Sequence, residues 1–262
     1  MKKALFTFLF MVIITTFFIG ALGFIHAVSR EKIIQNQKIK EIKSVLYAGE
    51  ILPEGIDEVE ISPAATTADL PWNEERVQQI YRSSLETLTL PLQSEYRKLL
   101  KQSFLSFKDS VAVYVLQKNN GTLRGYGFPL RGKGLWGTIT AFAVVSPDLT
   151  HMIGIDFTEQ SETPGLGARI TESEFKYYFR GLKLTGFFNS TDQTPVRMVS
   201  HKDESNKENP TSSFQAITGA TQTCNGVRTM LNTDLRFYLR ILKDHLHSVQ
   251  ESSLNMGDEY GQ

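Results

Sequence analysis

Residues 138–159 read TITAFAVVSPDLTHMIGIDFTE, and this stretch decides the fold class. Its first eight residues are rich in β-branched and aromatic side chains, which is typical of a buried strand. Pro147 and Asp148 end that run. Apolar side chains then alternate with other residues from 151 to 159, which predicts a second strand. The stretch therefore predicts two consecutive strands joined by a turn.

Further strands and helices are predicted on both sides of this pair. Upstream, alternating valines predict a strand from residue 110, and residues 124–129 predict another. Downstream, apolar residues at helical spacing predict helices at about 172–182 and 223–247, and a polar loop at 202–213 lies between them. This order of strands and helices predicts an α+β domain.

The N-terminus carries a long apolar segment. Residues 4–27 contain no charged side chain, and about 20 apolar residues in a helix suffice to cross a bilayer. A cleaved signal peptide is the alternative, but its apolar core usually has about 7–15 residues. We therefore expect a single transmembrane helix that anchors the chain.

These patterns divide the chain into four parts. We predict a membrane anchor helix at 1–28, a helical membrane-proximal region at 29–108, the α+β domain at 109–248 and a C-terminal tail at 249–262. Within the second part, residues 72–105 are predicted to be helical, with an interruption near Pro91.

Composition excludes several functions. The chain has 28 basic and 28 acidic residues, so no excess of positive charge favours binding to nucleic acid. A lone cysteine, Cys224, excludes an intrachain disulfide and a metal site with several cysteines. We predict no metal site, and no general acid–base pair or nucleophile constellation marks a catalytic residue.

The sharpest motif is the hexapeptide TGATQT at 218–223, directly before the last predicted helix. A helix N-terminus attracts anions through its free N–H groups and its dipole. Small residues at 219 and 220 leave room for a bulky group to approach the backbone. The alternative is an ordinary turn and helix cap, in which the Thr223 oxygen accepts a backbone N–H.

Two glycine-containing segments accompany this motif. The run ETPGLG at 162–167 follows the second strand, and its proline and glycines suit a backbone that lies flat against a planar ligand. The run GKGLWG at 132–137 places a tryptophan among three glycines, where it could pack on an aromatic ligand. A plain Pro-Gly turn and a core tryptophan beside a turn are the respective alternatives.

Together the three segments resemble the FMN-binding domain family. This family includes small subunits of two membrane redox complexes, a sodium-translocating NADH:quinone oxidoreductase and the Rnf electron-transport complex. Its motif is Asp, two variable positions, Ser or Thr, Gly, Ala and Thr, and the last threonine carries FMN through its phosphate. The resemblance places this phosphoester on Thr221 and puts Gln215 where the family has Asp. The run at 134–136 is closer to the first complex.

The resemblance implies a set of cofactor-binding residues from all three segments. They are Thr218, Gly219, Ala220, Thr221 and Thr223 from the hexapeptide, Glu162, Thr163, Pro164, Gly165, Leu166 and Gly167 from the second segment, and Gly134, Leu135 and Trp136 from the third.

The function implied by the resemblance is electron transfer by covalent FMN in a sodium-translocating NADH:quinone reductase-type complex, as a redox subunit that is not an enzyme by itself. Its partners would be the other subunits, a flavin transferase and, through residues 4–27, the membrane. An Rnf-type or stand-alone FMN carrier is one alternative. A binding or structural module that has lost covalent flavin is another, favoured by Gln215.

Two arguments about the side of the membrane on which the α+β domain lies oppose each other. Two lysines precede the apolar segment and five basic residues follow it closely, and positive charge marks the cytoplasmic side. This count places the domain in the cytoplasm. The resemblance implies the outer, periplasmic face of a bacterial inner membrane. We expect the outer face, because several of the lysines lie further along the chain, where their effect is weaker.

Overall fold

The computed structural model describes residues 2–51, 73–118, 121–189, 192, 194–199 and 212–259. They fall into two units, Met1–Glu41 and Ile42–Gln262. The loop predicted at 202–213 lies outside the described residues except for its last two positions.

The chain begins with one continuous helix, α1 (Lys2–Ala48). An 18-residue window within it has a mean hydropathy of 2.5, and none of that window is buried. The hydroxyls of Thr7 and Thr15 donate to the carbonyls four residues earlier, so these polar groups are satisfied within the helix. The helix is long and apolar enough to span a bilayer, although a signal sequence would meet the same criterion.

The second unit is built on an antiparallel sheet of five strands in chain order. They are β1 (Leu85–Pro91), β2 (Ser110–Gln117), β3 (Leu123–Lys133), β4 (Thr138–Val145) and β5 (Met152–Glu159). This confirms the strands predicted from residue 110 to 159. The strand β1 corrects the helical prediction for 72–105, because its leucines and threonines alternate and pair along the whole length of β2.

Helices and short elements surround this sheet. In chain order they are α2 (Glu74–Ser84), α3 (Tyr96–Leu100), a 3-10 helix (Gly167–Thr171), α4 (Ser173–Tyr177), a second 3-10 helix (Thr185–Phe188), the parallel strands β6 (Arg197–Val199) and β7 (Ser213–Gln215), and α5 (Thr221–Met230), a π-helical turn (Leu231–Leu235) and α6 (Arg236–Glu259). The helix predicted at 172–182 is therefore much shorter, and the one predicted at 223–247 begins earlier and ends later.

The sheet is covered on both faces, which explains the apolar run in β4. Ile139, Ala141 and Ala143 point into a core that includes residues of α5 and α6, whereas Phe142 and Val144 point into a second core. The second core includes the last turns of α1. A strand buried on both faces carries apolar side chains at consecutive positions, because neither face meets water.

Helix α5 lies directly on β3. A Cβ atom added to Gly226 would overlap the backbone carbonyl oxygen of Lys133, so only glycine permits this approach of helix and strand. The contact brings the N-terminal half of α5 to the end of the sheet where β3 finishes, β4 starts and β5 finishes.

The π-helical turn positions a buried carboxylate against the same strand. Asp234 is fully buried, and it accepts hydrogen bonds from the backbone N–H of Arg131 (2.7 Å) and from the hydroxyls of Ser103 (2.5 Å) and Thr233 (3.1 Å). Burial raises the pKa of this carboxyl to about 6, although the hydrogen bonds act in the opposite direction. Asp234 thus fastens the helix to β3 at a cost in desolvation.

The raised pKa of Asp234 predicts a pH-dependent contribution to stability. Between about pH 4 and pH 6 the folded protein holds a proton that the unfolded chain has released, so the contribution of this group falls by on the order of 3 kcal/mol as pH rises. The difference in unfolding free energy between the parent chain and Asp234→Asn should therefore decrease over this range. Urea denaturation of the full chain in detergent at several pH values measures it.

An exposed carboxylate on α4 provides the control. Glu174→Gln should leave the pH dependence of unfolding unchanged, since this side chain is exposed and water screens its charge. A difference in unfolding free energy between the parent chain and Asp234→Asn that does not change with pH would contradict the raised pKa of Asp234.

Candidate functional site

The three motifs of the sequence meet at one end of the sheet. The hairpin between β3 and β4 carries residues 134–137 and is closed by a hydrogen bond from the N–H of Gly134 to the carbonyl of Gly137 (2.8 Å). The segment 162–167 begins three residues after β5. The hexapeptide 218–223 leads into α5, which the contact with β3 brings to the same place.

The side chain of Glu162 joins the three motifs. One carboxylate oxygen, Oε1, accepts a hydrogen bond from the N–H of Trp136 (3.0 Å). The other, Oε2, accepts from the N–H of Leu135 (3.2 Å) and from the hydroxyl of Thr223. Glu162 is only 5% exposed. The carboxylate of the first residue of the segment 162–167 therefore holds both the hairpin and the first turn of α5.

The surroundings of Glu162 favour its ionised form. Burial is the largest influence and raises its pKa, but the hydrogen bonds from the Thr223 hydroxyl and from the N–H groups of Trp136 and Leu135, with the nearby N–H of Gly137, together outweigh burial. The net effect is a pKa below the usual value for glutamate. Glu162 is accordingly a carboxylate at neutral pH.

The segment after Glu162 forms a tight turn. The N–H of Leu166 donates to the carbonyl of Thr163 (3.1 Å), and Gly165 has a φ of +74°. Proline at the second position and a glycine with positive φ at the third is the pattern of a type II turn. The turn places Leu166, which is 42% exposed, on the surface beside α5. The plain-turn interpretation thus describes the backbone but not the exposed side chain.

Thr221 is the first residue of α5, and the N-cap is Ala220, whose side chain makes no capping hydrogen bond. The predicted capping role of Thr223 is wrong, because Thr223 lies inside the first turn and its hydroxyl donates to Glu162. The first N–H groups of a helix have no acceptor within the helix. Thr221 is exposed, so a solvent-accessible hydroxyl residue and the free N–H groups occur at the same end of the helix.

A pocket of about 210 Å³ lies between the three motifs. It is lined by Leu135, Glu162, Thr163, Leu166, Gly167, Gly219, Ala220, Thr221, Gln222 and Thr223. Trp136 does not line it but stands next to Leu135 on the hairpin and is 71% exposed, which excludes the core-tryptophan interpretation. Apolar side chains therefore surround the opening of a small pocket that ends at a helix N-terminus.

The pocket contains most of the residues predicted to bind the cofactor. Of that set, Thr218, Pro164, Gly165, Gly134 and Trp136 belong to the same three segments but do not line the pocket. One lining residue, Gln222, was missed by the sequence prediction. Its place directly after Thr221 in the hexapeptide was the available signal, because the second residue of a helix also lies at the N-terminus.

The residue at the position of the family's aspartate is also placed. Gln215 is the last residue of β7, and its side-chain oxygen accepts a hydrogen bond from the Tyr178 hydroxyl. Burial raises the pKa of this tyrosine, and the charge of Glu174 adds to the effect, so Tyr178 remains a hydrogen-bond donor at neutral pH. The amide of Gln215 is thus engaged with a neighbouring side chain.

Gly167 provides a test of this packing. A Cβ added there would lie 2.6 Å from the Thr223 Oγ1 and 2.8 Å from the Glu162 Cβ, so Gly167→Ala must push the loop away from α5. We expect a loss of about 1–3 kcal/mol in unfolding free energy, as for other overpacked sites. Denaturant unfolding of the full chain in detergent measures this loss.

Gly165→Ala is the comparison for Gly167→Ala. An added Cβ at Gly165 meets no atom within 4 Å, and only its positive φ opposes the change, at a cost of about 1–2 kcal/mol. Hydrogen exchange at the N–H groups of residues 135 and 136 should accelerate in Gly167→Ala but not in Gly165→Ala. Equal exchange in the two variants would contradict the close packing at Gly167.

Comparison with known proteins gives three findings. Residues 134–236 match the family described as FMN-binding domain. Curated relatives include NqrC, a component of the Na(+)-translocating NADH-quinone reductase, from Chlamydia pneumoniae, 34% identical over 134 residues (48% of this chain and 42% of the relative), and its counterpart from Pasteurella multocida, 34% identical over 127 residues (48% and 45%). The chain therefore spans less than half the length of these relatives.

Solved structures share the fold. A crystal structure of Shewanella oneidensis NqrC matches with a TM-score of 0.55 and 19% identity, over 79% of this chain and 99% of that chain. A crystal structure of the corresponding Na(+)-translocating NADH-quinone reductase component from Parabacteroides distasonis matches with a TM-score of 0.57 and 22% identity, over 81% and 96%. At these identities the solved structures show the fold alone. The match of residues 134–236 and the curated relatives confirm the resemblance to the FMN-binding domain family and the predicted cofactor, FMN.

Proposed function

We propose that this chain is a membrane-anchored electron-transfer subunit that carries FMN as a phosphoester on the hydroxyl of Thr221. One observation carries the proposal: Thr221 is an exposed threonine at the first position of α5, and it lines the pocket formed by the three motifs. A hydroxyl at this place is accessible for modification and lies next to a site that favours a phosphate.

The residues around Thr221 suit a phosphate group. The first turn of α5 offers backbone N–H groups and the positive end of the helix dipole, which both favour an anion. Gly219 and Ala220 have little or no side chain, so a phosphate can approach the backbone there. No acidic side chain other than the buried Glu162 lines the pocket among the described residues, and that carboxylate is already bonded to three donors.

The opening of the pocket suits a flat apolar ring. Leu135, Trp136 and Leu166 are 54%, 71% and 42% exposed, so three large apolar side chains of the motifs are open to a ligand. Leu135 and Leu166 line the pocket from the hairpin and the turn. An isoalloxazine attached through its phosphate at Thr221 would cover part of this apolar surface.

Electron transfer fits this arrangement better than catalysis on a diffusing substrate. Bound FMN supplies the capacity to accept and release electrons, and the protein tunes its potential through nearby groups and charges. The chain itself holds the phosphate, presents an apolar platform and prevents loss of the cofactor. Thr221 is an acceptor of modification in this proposal and not a catalytic nucleophile.

The names of the relatives support a proposal about the complex. Both curated relatives are named as a component of a Na(+)-translocating NADH-quinone reductase. We propose that this chain is a redox subunit of a complex of that type, in which it exchanges electrons with the other subunits. A flavin transferase would attach the FMN, and its acceptance of Gln215 in place of the family's aspartate is part of the proposal.

Thr221→Ala tests the attachment. The parent chain, co-expressed with a flavin transferase, should gain roughly 438 Da, the mass of FMN minus the water lost on forming the phosphoester. Thr221→Ala should not gain this mass, because it lacks the hydroxyl, whereas Thr221→Ser keeps a hydroxyl and should gain it at least in part. Intact mass spectrometry of the full chain, with in-gel flavin fluorescence, measures both.

A second threonine of the hexapeptide provides the matched control. Thr218 is exposed and does not line the pocket, and the family's motif allows serine at this position, so Thr218→Ser should still acquire the flavin mass. A parent chain without added mass or yellow colour would refute covalent loading and favour the binding or structural alternative. Added mass that persists in Thr221→Ala would refute the assignment to this threonine.

We further propose that α1 anchors the chain in a bacterial inner membrane with the α+β domain on the periplasmic face. The apolar part of α1, with none of its most hydropathic window buried, supports the anchor. A C-terminal alkaline phosphatase fusion should be active and a cytoplasmic green fluorescent fusion dark, because alkaline phosphatase needs disulfides that form outside the cytoplasm. The opposite pattern would support the count of positive charges.

A further inference from the structure

Glu162 has more donors around it than a neutral side chain could accept. Its Oε1 receives the N–H of Trp136, and its Oε2 receives both the N–H of Leu135 and the Thr223 hydroxyl. A glutamine at this position would turn its NH₂ group toward one of the two backbone N–H groups, because each oxygen already faces one of them. The arrangement therefore requires a carboxylate with both oxygens acting as acceptors.

The same carboxylate belongs to the wall of the pocket. Glu162 is among the pocket-lining residues, yet its side chain is buried and its oxygens face protein groups. The backbone next to Glu162 is fixed as well, since the N–H of Glu162 donates to the side-chain oxygen of Gln160 (2.6 Å). Glu162 thus fixes the hairpin and the first turn of α5 through hydrogen bonds beneath the pocket surface. Its negative charge lies in the pocket wall.

A buried charge acts over a longer range than an exposed one, because little water lies nearby to screen it. Within the pocket lining, Glu162 is the one ionisable carboxyl or basic residue. The hydrogen bonds and the N-terminal end of α5 distribute its charge but do not remove it. Any ligand in the pocket therefore experiences a fixed negative charge on the side of the hairpin and the turn.

We propose that Glu162 is a positioning residue that, as a carboxylate, fixes the Leu135–Trp136 hairpin on the first turn of α5 and makes reduction of the bound flavin less favourable. The second half rests on the proposed function, and the first half does not. The proposal assigns Glu162 no contact with the reacting atoms.

The effect on reduction follows from charge balance. Two-electron reduction of FMN at neutral pH takes up two electrons and one proton, which leaves one more negative charge on the flavin. A fixed negative charge in the pocket wall repels this product more than the oxidised form. The midpoint potential of the flavin is therefore lower with Glu162 than without its charge.

Three variants of the full chain in detergent separate the effect of the length of the Glu162 side chain from the effect of its charge. Glu162→Gln removes the charge and one acceptor, Glu162→Asp keeps the charge but shortens the side chain, and Glu159→Gln removes an exposed carboxylate at the end of β5 as the matched control. Hydrogen–deuterium exchange at residues 135 and 136 is measured on unloaded protein. The midpoint potential is measured on loaded protein by electrochemical titration, in which the electrode supplies the electrons through mediators and the buffer supplies the proton.

The expected results differ for each variant. Glu162→Gln should accelerate exchange at residues 135 and 136 at least tenfold and raise the midpoint potential. Glu162→Asp should also accelerate exchange but keep a potential near that of the parent chain, because the charge remains. Glu159→Gln should change neither quantity, since water screens an exposed carboxylate.

Each remaining result overturns a defined half of the proposal. Unchanged exchange in both Glu162 variants refutes the positioning role. A potential that is unchanged in Glu162→Gln, or raised equally in Glu162→Asp, refutes the effect of the charge. If Glu162→Gln does not fold, exchange in Glu162→Asp decides the positioning role, and Glu162→Ala supplies the uncharged side chain for the measurement of the potential. If the parent chain takes up no FMN, the proposed function and the charge effect fail together, while exchange on unloaded protein still decides the positioning role.

Discussion

The site depends on the three hydrogen bonds that the buried carboxylate of Glu162 accepts. They connect a hairpin, a loop and a helix, and the donors lie 26 to 61 residues from Glu162 in the chain. Such a group costs desolvation energy, and it is stable as a carboxylate because backbone N–H groups and a hydroxyl compensate for the lost water. A hydrogen bond to a charged group is about twice as strong as a neutral one, so one side chain suffices to fix three segments.

The sheet makes this arrangement possible. Because β3, β4 and β5 are antiparallel neighbours, the β3–β4 hairpin and the C-terminal end of β5 lie at the same end of the sheet. Helix α5 reaches that end by lying directly on β3, and Asp234 holds the following π-helical turn on the same strand. A π-helical turn interrupts the regular helix and is often found near functional sites. The burial of the Asp234 carboxyl costs desolvation free energy, and its hydrogen bond to β3 helps to hold α5 in place.

The proposed chemistry follows from where Thr221 lies. A threonine in the middle of a helix would present its hydroxyl without free N–H groups beside it, whereas the first helical position offers both. The exposed apolar side chains of Leu135, Trp136 and Leu166 provide a platform next to it. In the proposed function, a phosphate at the helix end and a ring next to these side chains would account for small residues at 219 and 220 and large apolar ones at 135 and 166.

The sequence by itself determined the apolar helix, the four strands between residues 110 and 159, and the segments that form the pocket. These features are local, because periodicity, glycine content and length of apolar run depend on neighbours in the chain. Only the tertiary structure decided that β1 joins the sheet, that Trp136 is exposed, and that Thr223 bonds to Glu162 instead of capping α5. Each of these features depends on contacts between residues that are distant in sequence. A local sequence pattern does not specify which distant segments come into contact.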